Sequence, residues 1–156
     1  MTFTEMMAAF TAAVEAGDGK RLGDLFTPDG VYHDTFYGEF RGREAIADML
    51  ENHFWRDAEA FKWEMRHPVC DGKTGYVDWT FSYTTKMARN TGTRVVFEGM
   101  SRLELDGDKF RAYNEMFDGG VALVQLGFPP ERMAQVLRKW ADRTRNLHRT
   151  QPHLKG

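Results

Sequence analysis

Phe3, Met6, Met7, Phe10 and Val14 recur at helical spacing, with Thr2 or Thr4 placed to cap the start and Gly17 to end the run. They predict a first amphipathic helix. A shorter helix is expected over Arg21 to Phe26, then a turn at Thr27-Pro28-Asp29-Gly30 and a strand from Val31 to Asp34. Past Gly42, the residues Ile46, Met49, Leu50, His53 and Phe54 share one side of a third helix, while Glu44, Asp48, Glu51 and Arg56 face away. From Ala60 the period changes to two. Phe61, Trp63 and Met65 alternate with Lys62, Glu64 and Arg66, and Trp79, Phe81 and Tyr83 alternate with Asp78, Thr80 and Ser82. A third long strand is expected from Thr93 to Leu105, and Asp106-Gly107 marks a hairpin into a fourth, Lys109 to Phe117. Pro129 and Pro130 open a last helix with Met133, Val136, Leu137, Trp140 and Thr144 on one side.

Helices first, long strands next and a closing helix predict an α+β fold. A curved antiparallel sheet of about four long strands forms a cone-shaped half-barrel when helices cover its concave side. The N-terminal helices are expected to close the cone, with the C-terminal helix as an addition. One domain over residues 1–145 accounts for the pattern, and residues 146–156 read as a basic, polar tail with His148, Arg149 and Lys155. Asp78, Thr80, Ser82, Glu98, Met100 and Arg102 fall on the convex face, where a homodimer is expected.

The chain has 156 residues, enough for one core and a small cavity, and 21 basic against 23 acidic side chains. That balance lacks the single-sign field of a nucleic-acid or membrane-surface binder. No segment approaches the roughly 20 apolar residues of a membrane span, and no secretory signal is visible. The single cysteine, Cys70, excludes an internal disulfide, reads as a buried thiol and fits a reducing cytoplasm. There is no phosphate-cradling glycine cluster and no nucleophilic Ser-His-Asp or Cys-His signature.

Two carboxylates stand out. Asp34 ends a strand beneath the apolar helix face of Met49, Leu50 and Phe54, where lost hydration raises its pKa and suits it to proton transfer. The competing reading is a turn aspartate bonded to the backbone near Thr35. Glu115 sits between Tyr113 and Phe117 on one strand face, an arrangement suited to a cavity, with an ion pair to Arg111 as the alternative. His53 is expected to hydrogen-bond Asp34, Glu115 or Tyr83 across that cavity. His33 and Asp34 point to opposite sides of a strand, so no metal site is expected. Trp55, Trp63, Trp79 and Tyr83 read mainly as core, and Asp118 as a cap for the segment that follows.

The run Tyr32-His33-Asp34, then Phe36-Tyr37-Gly38 and Gly42-Arg43-Glu44-Ala45-Ile46, resembles the nuclear transport factor two-like superfamily, which includes ketosteroid isomerases, limonene epoxide hydrolases and SnoaL-like polyketide cyclases. The resemblance extends from about Phe3 to Trp140 and implies the cone fold and the dimer. It places Asp34 where ketosteroid isomerases carry their catalytic aspartate, and Glu115 where epoxide hydrolases and cyclases carry an acid. The segment Gly119 to Gly127 strengthens the SnoaL-like match. Two departures matter. Phe10 and Ser101 fall where the isomerases have a tyrosine and a protonated acid as oxyanion donors, and Trp79, Phe81 and Tyr83 leave no Arg-x-Asp pair of the hydrolase kind. Ordinary steroid isomerisation and epoxide opening are therefore disfavoured.

These residues together predict a cofactor-independent acid/base enzyme for a small apolar carbonyl-type compound. Asp34, Glu115 and His53 form its catalytic set. Phe10, Met49, Phe54, Trp79, Phe81, Tyr83, Ser101, Tyr113 and Phe117 are its candidate substrate contacts. A ligand-binding protein without turnover, and a cone filled by its own side chains, are the alternatives.

Overall fold

In the computed structural model, which describes residues 1–156, helix α1 (Phe3–Ala16) begins with a capping box. The Thr2 hydroxyl accepts from Glu5 N, and the Glu5 carboxylate accepts from Thr2 N. Gly17, with φ +67°, ends it in the left-handed conformation. The second helix lies earlier than its hydrophobic pattern suggests. Asp18 accepts from Arg21 N and starts α2 at Gly19–Gly23, which leaves Phe26 to the first strand. A Cβ on Gly19 would lie 2.5 Å from the Ala47 carbonyl oxygen, so α2 packs almost backbone to backbone on the third helix.

Six strands form one curved, unclosed sheet in the order β2-β1-β6-β5-β4-β3. They are β1 (Phe26–Asp34), β2 (Gly38–Arg41), β3 (Ala58–Cys70), β4 (Thr74–Thr85), β5 (Arg94–Asp106) and β6 (Lys109–Phe117). The α+β cone is as the sequence predicts, with three corrections. Thr27 to Gly30 is not a turn before a strand but an irregular stretch within β1, where the register to β6 shifts between Phe26 and Val31. The short edge strand β2 was hidden among polar residues. The sheet is also not wholly antiparallel, because β1 and β6 pair in parallel, Tyr32 opposite Tyr113 and His33 opposite Asn114. A parallel pair needs a long connection, here the whole middle of the chain, and local alternation carries no trace of it.

The third helix changes pitch. Arg43–Met49 is α-helical (α3), Leu50–Phe54 is a π turn, and Trp55–Asp57 (α4) resumes the α form. Ile46, Met49, Leu50 and Phe54 are buried. The wider turn rotates the phase of the helix and leaves His53 partly exposed. Phe10, fully buried, stacks on Tyr113 at 5.0 Å between ring centres and meets Trp63 edge-on at 5.3 Å, which ties α1 to β6 and β3.

Asp118 caps α5 (Gly119–Gln125) by accepting from Gly120 N. Helix α6 (Pro130–Arg145) has no fully buried residue, and Leu137 on its apolar side remains exposed. The last residues do not trail away. His148–Leu154 forms a 3-10 helix, with Thr150 Oγ1 donating to the Thr144 carbonyl and Gln151 Nε2 to that of Arg145. Cys70 is exposed rather than buried, because the end of β3 runs past the core. No helix is long and apolar enough to cross a membrane.

Candidate functional site

Strand β1 ends on Asp34, which is 5% exposed. Its Oδ1 accepts from Phe36 N at 2.9 Å and Tyr37 N at 2.8 Å, so the carboxylate closes the turn to β2. The parallel register puts Glu115 of β6 beside it. Glu115 Oε1 accepts from Thr35 N at 3.0 Å, and Oε2 accepts from the Tyr113 hydroxyl at 3.2 Å. Behind Tyr113 the relay continues: Ser101 Oγ donates to Tyr113 at 2.9 Å and accepts from Trp79 Nε1 at 2.8 Å. Glu115 makes no ion pair with Arg111; its partners are a backbone amide and a phenol.

Two buried carboxyls so close cannot both ionise cheaply. Burial raises the Asp34 pKa to about 6, against the pull of the Tyr37 and Phe36 amides, a hydrogen bond with Glu115 and the charge of Arg143. Burial, and then the Asp34 charge, push Glu115 well above the usual carboxylate range. Near neutral pH the pair therefore holds one proton, with Asp34 the carboxylate and Glu115 the acid.

Asp34 and Glu115 border a cavity of about 190 Å³ lined by 19 residues, 16 of them hydrophobic. Twelve are aromatic, and the three that are not hydrophobic are all acids: Asp34, Glu115 and Asp57. Asp57 is held below the usual range by Arg56, whose Nε and Nη2 lie 2.7 and 2.8 Å from its oxygens, and it accepts from the Tyr37 hydroxyl at 2.6 Å. Burial also raises the pKa of the Tyr37 and Tyr83 phenols, so both stay neutral donors. The Tyr32 hydroxyl and Trp63 Nε1, on two more lining residues, are buried and lack a hydrogen-bond partner. Tyr32 is a cross-strand neighbour of Tyr113, but their hydroxyls are not arranged as a hydrogen bond.

The SnoaL-like domain model matches residues 7–113, from the first helix to the strand that carries Glu115. The chain belongs to the SnoaL-like domain family. No curated protein matches it significantly. Among solved structures, this SnoaL-like protein is similar to a protein of ketosteroid-isomerase-like fold from Catenulispora acidiphila, in complex with trimethylamine. The TM-score is 0.74 at 22% identity, over 83% of this chain and 98% of that one. An LEH-like epoxide hydrolase from M. tuberculosis gives a TM-score of 0.65 at 17% identity, over 86% and 94%. A candidate SnoaL-like polyketide cyclase from Shewanella putrefaciens gives 0.67 at 16%, over 81% and 96%. At such identities the likeness is one of fold.

Of the residues singled out in this SnoaL-like sequence, Asp34, Glu115, Phe54, Trp79, Phe81, Tyr83 and Phe117 meet at the cavity. Phe10, Met49, Ser101 and Tyr113 are buried but do not border it. Ser101 and Tyr113 instead hold Glu115 from behind. His53 is bonded to none of Asp34, Glu115 and Tyr83. Its ring packs edge-on against Tyr37 and Phe40, and its Nδ1 lies 3.9 Å from Asp48, a displacement that follows from the π turn. No group of three His, Cys, Asp or Glu is placed to hold a metal ion. Asp57, Tyr37 and the lining residues of α5 and its following loop, Leu123, Leu126 and Phe128, were not foreseen. Phe61 and Trp63, which also line the cavity, carried a signal in the strand alternation they share.

Proposed function

We propose that this SnoaL-like protein is a cofactor-independent acid/base enzyme acting on a small apolar carbonyl-type compound. The observation that carries the reading is the pair of buried carboxyls, Asp34 and Glu115, at one side of an otherwise aromatic cavity, where burial raises both above the usual range. Asp34 takes a proton from the carbon beside the carbonyl, and Glu115 donates its own proton to the carbonyl oxygen, giving the enol. Phe10 and Ser101 offer the substrate no oxyanion donor. The unpartnered Tyr32 hydroxyl and Trp63 indole N–H are the donors that support a carbonyl oxygen here. By volume the ligand is small, since an apolar cavity of roughly 150 Å³ accommodates benzene. The likeness to a candidate polyketide cyclase agrees with such chemistry.

The test is deuterium exchange from solvent into small cyclic ketones and 1,3-diketones, followed by NMR. Wild-type protein is expected to accelerate it and Asp34→Asn to abolish it with the melting transition intact. Equal exchange by both would sink the base assignment. The rate should rise with pH through about 6 as Asp34 ionises, and fall at higher pH as Glu115 loses its proton.

We also infer a homodimer through the convex sheet face. Met100 and Met116 are cross-strand neighbours there and are 57% and 79% exposed. Arg66, Asp78, Glu98 and Arg102 lie on the same side, a mix of both charge signs suited to a second copy.

A further inference from the structure

The lining of the cavity has a charge sign as well as a shape. It contains no Lys, Arg or His, and its acidic residues are three carboxyls. Arg56 already offsets Asp57 with two contacts from outside, so that carboxylate is spoken for. The Asp34–Glu115 pair has no such partner. Arg143 of α6 lies nearby, but its Nη1 donates to the Thr35 carbonyl at 2.9 Å rather than to either carboxyl. The other groups facing the pair are the neutral phenols of Tyr32, Tyr37, Tyr83 and Tyr113, so negative charge in the cavity is uncompensated from within. The remaining walls are aromatic rings, whose faces carry the negative part of their quadrupole and attract a desolvated cation.

We propose that the cavity is selective for a small compound bearing a tertiary or quaternary alkylammonium centre, its N-alkyl groups against the aromatic walls and its charge opposite Asp34 and Glu115. The proposal rests on this cavity being the working site and adds the charge of its ligand; it does not depend on turnover. An anion meets like charge in a dry site, and a neutral isostere forgoes both the ion pair and the attraction of the ring faces. Because the bound cation favours the ionised form of Asp34, binding around pH 6 releases a proton, and affinity climbs as pH rises through that value.

The experiment compares three probes of nearly one shape on the wild-type protein by titration calorimetry: choline, 3,3-dimethyl-1-butanol and 3,3-dimethylbutyrate. Choline should bind at least about tenfold more tightly than the neutral alcohol, and the carboxylate should not bind. Choline affinity should increase from pH 5 to 8 with proton release, seen as heats that vary with buffer ionisation enthalpy, while the alcohol shows neither effect. Asp34→Asn, which removes the carboxylate while Glu115 keeps its proton, should bring choline close to the alcohol, and the wild-type comparison decides the matter even if that variant folds poorly. Equal or tighter binding of the alcohol or the carboxylate, a choline affinity flat in pH, or no choline binding at millimolar concentration would overturn the proposal. Deuterium exchange lost in Asp34→Asn alongside indifferent choline binding would leave the acid/base reading standing without this one. The reverse pattern would describe an ammonium-binding cavity without turnover.

Discussion

Asp34 does two things at once: one oxygen holds the Phe36 and Tyr37 amides, and the buried carboxyl lies beside that of Glu115. Folding moves its pKa from 3.8 to about 6, so between those values the folded chain binds the additional proton. Unfolding free energy therefore falls as pH rises across that window, and Glu115 carries the fall to higher pH. Asp34→Asn keeps an oxygen for both amides while removing the charge. It should raise stability at pH 8 by on the order of 2 kcal/mol and flatten the change in Tm between pH 5 and 8. A lower Tm at pH 8 would show that the turn, not the charge, dominates. Ser101→Ala should cost about 1–3 kcal/mol in denaturant unfolding, because it leaves the buried Trp79 N–H unpaired and deprives Tyr113 of a donor. Both carboxyls were legible in the sequence, Asp34 as a strand end beneath an apolar helix face and Glu115 in phase with Tyr113 and Phe117. His53 was misplaced because a π turn leaves no mark in a heptad-like pattern.

The turn after Asp34 is gripped from outside by α6. Arg143 bonds the Thr35 carbonyl, and Trp140 meets Phe36 edge-on at 5.5 Å between ring centres. Trp140 also rests on Gly119, where a Cβ would lie 2.3 Å from its Cζ3. Gly119→Ala should push the indole away and cost about 1–3 kcal/mol, visible as a red shift in tryptophan emission and a lower Tm. An unchanged spectrum would mean that α6 docks by other contacts. The sequence announced this helix through Pro129 and Pro130 and its apolar stripe, but the stripe promised more burial than a surface helix resting on one glycine provides. Pairing by complementarity of a single side chain and a missing Cβ is invisible until both are in place.

The curved sheet with one aromatic cavity and one open convex face was foreseeable from strand alternation, because alternation separates the two faces whatever the strand order. Strand order was not foreseeable, and with it the parallel β1–β6 pair. If the convex face joins two copies, Met100→Lys with Met116→Glu should give monomers by analytical ultracentrifugation while the melting transition and cavity binding persist. A monomeric wild type at micromolar concentration would reject the dimer. The parallel pair has a temporal meaning too. Thr35 and Glu115 are 80 residues apart in sequence, so the two carboxyls cannot meet while the chain is being made until β6 has left the ribosome. The β3–β4–β5 meander, built from neighbours in sequence, can assemble before that. The contact between the two carboxyls is then imposed late, after the meander strands have been made and before α6 closes on the turn.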